Sequence, residues 1–159
     1  MRVREPVNAR EVLVGIIIPC LIALVGAIIM VSWLPELPDP VAVHWGSGDA
    51  PDGFGSAWGM VLLPVICVVG YAVLMLIILL FAGTRGGSLS PETNRRVLLS
   101  TAPFLSALIT IGVAGSLGDQ RGLADARLAP GGGIWMLVGA AVGVVLAVVA
   151  WFALKPERA

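Results

Sequence analysis

A chain of 159 residues that is 58% hydrophobic and 13% charged departs from soluble domains, which run roughly 45–50% apolar and about 25% charged. Ten Lys and Arg balance ten Asp and Glu, so no net charge points to nucleic acid or to a polybasic surface. Two cysteines are too few for a disulfide framework. What remains is a small integral membrane protein.

Four stretches, Val12–Leu34, Gly59–Ala82, Val97–Leu117 and Ile134–Leu154, contain no Asp, Glu, Lys, Arg or His. A hydrocarbon core of roughly 30 Å is crossed by about 20 helical residues, so each is long enough to span it. The spans are helical because every backbone N–H and C=O must find its partner within the segment where water is absent. Together they take up more than half of the chain, which predicts one all-α membrane domain over 1–159. Arg2, Arg4 and Arg10 precede the first stretch in the manner of a signal peptide. The stretch is too long for a typical h-region and no small-x-small cleavage site follows it, so it reads as a retained anchor.

Orientation follows from Lys and Arg placement. Arg2, Arg4 and Arg10 lie before the first span, and Arg85, Arg95 and Arg96 between the second and third. Lys155 and Arg158 follow the fourth span. Segment 35–58 has no basic residue, and segment 118–133 has Arg121 and Arg127. The positive-inside bias then places both termini in the cytoplasm. The preference for Arg over Lys, with abundant Ala, Gly and Val, hints at a GC-rich bacterial genome, and the expected location is then the bacterial plasma membrane.

Within the spans the ionisable groups are the weak acids Tyr71, Cys20 and Cys67, which argues against a proton relay or an ion-coupled carrier. Small residues are plentiful instead. Gly139 and Gly143 form a GxxxG, and Gly112 with Ser116 a small-xxx-small pair, spacings that let helix backbones approach closely. Packing within the bundle is the simpler use, and a homodimer face the other. Pro19, Pro64 and Pro103 each remove a helical hydrogen bond and predict local distortion. Ser90, Pro91 and Glu92 form a helix start, which puts Asn94, Arg95 and Arg96 at headgroup level, in reach of membrane lipid.

Segment 35–58 is the informative one. Pro35, Pro38 and Pro40 enforce an extended exit from the first span. Val41–Trp45 then alternates, with Val41, Val43 and Trp45 on one face and Ala42 and His44 on the other, a short strand signal. Gly46, Gly48, Asp49 and Pro51-Asp52-Gly53 are turn residues. The expectation is a four-transmembrane-helix bundle with a short extracytoplasmic hairpin-like loop between helices 1 and 2. Trp33, Trp45, Phe54 and Trp58 would lie at the interface, where amphipathic rings gather.

The run from Leu34 through Pro40, Val43, His44 and Trp45, then Pro51-Asp52-Gly53-Phe54-Gly55-Ser56, and finally Trp58 to Pro64, resembles the N-terminal membrane domain of SdpI-like immunity proteins. That pattern has Leu-Pro, then Pro-Val-His-Trp/Phe, then Gly-x-Pro-Asp-Gly-aromatic-Gly-Ser. Ala57 stands where the pattern usually has Lys or Arg. The resemblance implies a membrane domain of unassigned activity. In named members it accompanies protection against a self-made peptide toxin and, in some, relay of its presence to a cytoplasmic repressor.

His44, Asp49 and Asp52 have the chemistry to bind a metal ion, although without paired spacing. The simpler alternative has the two Asp residues capping turns while His44 hydrogen-bonds the hairpin backbone. Ser47 or Ser56 with His44 and an Asp would match a triad in composition, but turn residues seldom hold a nucleophile on its base. No catalytic residue, cofactor or metal is assigned, and an enzyme is not expected. Arg121 or Arg127 is expected to pair with Asp49 or Asp52. The partner-binding candidates are His44, Trp45, Asp49, Asp52, Gly53, Phe54 and Trp58, with Gly112, Ser116, Gly139 and Gly143 as packing residues. An acidic, aromatic loop suits a cationic, membrane-active peptide. The alternative is an accessory subunit of a larger membrane complex, held through the GxxxG face.

Overall fold

The structure, a computed structural model, describes residues 8–46, 50–81 and 91–155. Arg2, Arg4, Ser47, Gly48, Asp49, Arg85, Ser90 and Arg158 lie outside the described residues. Four helices are long and apolar enough to cross a membrane, and they pack as a bundle of alternating direction. We label them α1 (Ala9–Glu36), α2 (Ala57–Phe81), α3 (Pro91–Gly118) and α4 (Gly133–Ala153).

α1 begins about one turn before the uncharged stretch. Asn8 and Glu11 form a capping box: Asn8 Oδ1 accepts from the Glu11 N–H at 3.1 Å, and the Glu11 carboxylate accepts from the Asn8 N–H at 2.9 Å. Two otherwise orphaned donors are satisfied in this way. The helix then winds as a π-helix over Leu13–Ile17 and returns to α over Ile18–Trp33. Pro19 lacks the N–H that would bond Gly15 and crowds that carbonyl, and a π turn just upstream re-registers the ladder around it. Pro64 and Pro103 are carried inside α2 and α3, and all three prolines are buried.

α3 is the central helix. It touches each of the others, whereas α4 rests chiefly on α3. Small residues set these distances. A Cβ on Gly139 would come within 2.8 Å of the Leu108 carbonyl oxygen, and one on Gly143 within 2.8 Å of that of Phe104. The GxxxG therefore seats α4 on the backbone of α3. Gly112 makes room for the Met136 thioether, a Cβ on Gly132 would lie 3.1 Å from Ser116 Oγ, and on α1 Gly26 accepts the Thr110 methyl. Such contact, gained by close approach, substitutes for the hydrophobic drive that helices lack in lipid. Polar ties add to it. Ser106 donates to the Pro19 carbonyl at 2.7 Å, and Tyr71 donates to the Leu98 carbonyl at 2.9 Å beside Thr101.

The buried apolar residues divide by depth. Val14, Leu99, Ala150 and Leu154 fill the end from which α1 and α3 start. Ala27, Met30, Val61, Val113 and Leu117, joined by Val41 from the hairpin, fill the other. Outward-facing residues such as Ile28, Ile66, Leu137 and Val145 are exposed and apolar, the inversion expected where lipid replaces water as solvent. This is a multi-pass membrane protein.

Between α1 and α2 lie β1 (Val41–Trp45) and β2 (Pro51–Gly55), paired antiparallel with Val41 opposite Gly55 and His44 opposite Gly53. The expected strict alternation of β1 does not hold. Val41 and Ala42 are both fully buried, and the register shifts between Ala42 and His44 and again between His44 and Trp45. Two causes act together. Irregular pairing rotates successive side chains, and the connector between α3 and α4 covers the face that would otherwise meet solvent, packing Ala126 and Ala129 on Ala42.

Candidate functional site at the hairpin end

Three consecutive residues at the end of α3 fasten the cap. Asp119 accepts a 2.6 Å hydrogen bond from Trp135 Nε1 at the start of α4. Arg121 grips Glu36 at the end of α1, with Nε at 2.9 Å and Nη2 at 2.8 Å from the same carboxylate oxygen. The Gly122 N–H adds a 2.7 Å bond to the Glu36 carbonyl. Arg121 also lies over the Trp33 ring, 5.1 Å from its centroid.

Gln120, between them, is fully buried. Its Oε1 accepts from the Ala42 N–H at 2.7 Å, and its Nε2 donates to the Ala42 carbonyl at 3.0 Å and to the Ser116 carbonyl at 3.1 Å. The carboxamide thus does for β1 what a neighbouring strand would do. It also satisfies a carbonyl in the last turn of α3, where intrahelical donors run out. A buried amide must be paired to avoid its desolvation cost, and this single side chain satisfies three backbone groups. Sequence reading did not single it out. The available signal was a carboxamide flanked by Asp119 and Arg121 directly after a span, which is faint.

Further out, His44 Nδ1 and Asp52 Oδ1 are 2.5 Å apart, with both side chains largely exposed. The carboxylate fixes Nδ1 as the donor nitrogen, which leaves Nε2 as the acceptor of the neutral ring. The expected bond from His44 to the hairpin backbone is replaced by this side-chain pair. Glycines create its space: a Cβ on Gly53 would fall 2.7 Å from His44 Cβ, and one on Gly46 would collide with the Asp52 carboxylate. The His-Trp-Gly and Pro-Asp-Gly runs are thereby parts of one arrangement.

Of the remaining candidates, Phe54 and Trp58 are exposed. Trp45 turns inward, packing against the cluster of Ala42, Ala126 and Ala129, and its buried indole N–H has no hydrogen-bond partner. Asp49 lies outside the described residues. The expected pairing of Arg121 or Arg127 with Asp52 is corrected, and that with Asp49 lies outside the described residues. Arg121 holds Glu36, which the end of α1 brings alongside the end of α3. Arg127 stays by Asp125 at 3.9 Å, and Asp52 belongs to His44. Among the described residues no group of three His, Cys, Asp or Glu is placed to hold a metal ion. The arrangement offers surface for recognition: a paired hairpin in which Asp52 is held by His44, with Phe54 and Trp58 exposed beside it.

Set beside known proteins, residues 21–68 match a family described as a domain of unknown function (DUF1648). No curated protein and no solved structure matches the chain. The matched stretch takes in much of α1, the hairpin and the first half of α2. The residues that clamp the hairpin from behind, Gln120 and Arg121, fall outside it.

Proposed function

We propose that the protein is a non-enzymatic, SdpI-like binding protein of the immunity type, whose hairpin end engages a cationic, membrane-active peptide. The observation that carries this reading is the balance of charge and exposure at that end. Asp39 and Asp52 are exposed and stand with the exposed rings of Phe54 and Trp58, while Arg121 is engaged by Glu36 and Arg127 sits beside Asp125. Anionic side chains beside aromatic faces attract a cationic amphipath through both charge and cation–π contact. The resemblance to immunity proteins in the hairpin motif supports the same reading. Both termini would then be cytoplasmic, with the hairpin outside.

The alternative, an accessory subunit of a larger membrane complex, loses its expected docking face. Gly139 and Gly143 are buried against α3. Deleting the gene is expected to sensitise cells to cationic membrane-active peptides, and Asp39→Asn with Asp52→Asn is expected to restore less resistance than the wild type. Sensitivity unchanged by deletion and by overexpression across a broad peptide panel would overturn the proposal.

A further inference from the structure

We infer that a groove between α3 and α4, at the end of the bundle away from the hairpin, is a binding site for one anionic phospholipid. The groove has a volume of about 380 Å³, within the range of small-ligand sites, roughly 300–1,000 Å³. Its walls are apolar apart from two hydroxyl residues: Phe104, Val144, Ala147, Val148 and Trp151, with Ser100 and Thr101 on the α3 side. Val144, Val148 and Phe152 are exposed toward the surroundings of the bundle, so the groove opens sideways into the membrane.

Unpartnered donors, one in the groove wall and one a helical turn beyond it, call for an anion. Ser100 is buried, lines the groove, and its hydroxyl has no hydrogen-bond partner. One turn earlier on the same face of α3, Arg96 lies 4.0 Å from the centroid of the Trp151 ring and donates from Nη2 to the Trp151 carbonyl at 2.6 Å. Its buried Nε–H has no partner, and no carboxylate among the described residues pairs with it. The neighbouring Arg95 differs, being neutralised by Glu11 at 2.5 Å. A cation with a spare donor, and a hydroxyl with none of its bonds made in a groove whose lining holds no carboxylate, are complementary to a group rich in anionic oxygen.

Depth identifies the source of that group. At about 1.5 Å per residue, Ser100 lies about 6 Å deeper than Arg96, and Phe104 about 6 Å deeper again. The sequence along the groove is therefore cation, hydroxyl, then hydrocarbon. A phospholipid presents phosphate, ester and acyl chain in that order, and Trp151 at the Arg96 level matches the preference of indole for the interface. A free phosphate would leave the apolar part of the groove unfilled.

The test uses the full chain in detergent, with phosphatidylglycerol, phosphatidylcholine and inorganic phosphate as probes. Retention of lipid is read by native mass spectrometry. The wild type is expected to retain one phosphatidylglycerol in preference to phosphatidylcholine. Arg96→Gln should reduce that preference about tenfold, the scale of one charge-assisted contact. Ala147→Phe, which fills the groove and leaves the cation in place, should expel both lipids. A second readout is independent of either variant's folding: phosphatidylglycerol with brominated chains should quench wild-type fluorescence more than it quenches Trp151→Phe. Equal retention of the two lipids by the wild type overturns the inference. So does displacement of phosphatidylglycerol by millimolar inorganic phosphate, which would mark a simple anion site, and so does quenching that does not depend on Trp151.

Discussion

Replacing Gln120 by Met tests how the hairpin is held. Methionine keeps the length and much of the volume of the side chain, so packing is conserved while the hydrogen bonds are lost. In the wild type the carboxamide satisfies the Ala42 N–H, the Ala42 carbonyl and the Ser116 carbonyl, all at a site closed to water. A buried donor left unpaired costs roughly 1–3 kcal/mol, and a carbonyl losing one partner costs somewhat less. Together these predict a loss of about 2–4 kcal/mol. The loss should be local, because Gln120 ties the hairpin to α3 while the helices keep their own contacts. Hydrogen exchange in detergent is the direct assay. Protection of the Ala42 amide should fall about 30-fold or more, at about 1.4 kcal/mol per factor of ten, while amides in the middle of α3 change little. Gln120→Glu should be worse, since it sets a carboxylate against two carbonyl oxygens. Exchange at Ala42 that is unchanged in Gln120→Met would refute the clamp.

Helix packing and surface charge give further expectations. Gly139→Leu and Gly143→Leu should each lower thermal stability in detergent by about 1–3 kcal/mol, the usual cost of overpacking, because their Cβ atoms meet the α3 backbone. Gly70→Ala has open space around the added methyl group and should be neutral or stabilising by up to about 1 kcal/mol. Gly53→Ala should displace His44 and break its contact with Asp52, visible as a shift of the His44 ring resonances, with little change in melting temperature since the pair is exposed. Arg121→Ala should cost at most about 1 kcal/mol in the same thermal assay, given a partly exposed ion pair, and Arg127→Ala, at 3.9 Å and well exposed, should cost less still.

The four helices were legible because membrane thickness translates directly into the length of an uncharged run, and each such run is helical over nearly all of its described residues. Their starts were less so. The uncharged run began at Val12, but a capping box is a local signal that operates on polar residues, and Asn8 with Glu11 carried α1 further. The hairpin was announced by its prolines and glycines. The burial of Ala42 was not, because it depends on Ala126 and Ala129, more than 80 residues away in the chain. Gln120 was opaque for the same reason: its two bonds to Ala42 reach a strand backbone 78 residues away. Arg121 was recognised as a pairing residue, but its partner Glu36 was not, since charge alone does not say that the end of α1 reaches the end of α3. The GxxxG was conspicuous, but whether it faces α3 or another copy is decided only by the packed bundle.

The central claim is that the hairpin end and the tail end of this bundle lie on opposite sides of a membrane. It is tested most directly with single cysteines, placed at the exposed Asp39 and Lys155 in a chain whose Cys20 and Cys67 have been changed to Ala, and probed with a membrane-impermeant maleimide. Labelling of Asp39→Cys in intact cells, with Lys155→Cys labelled only after permeabilisation, is the predicted result. Labelling of both positions from the same side would contradict it, and labelling of Lys155→Cys alone in intact cells would overturn the proposed orientation with cytoplasmic termini.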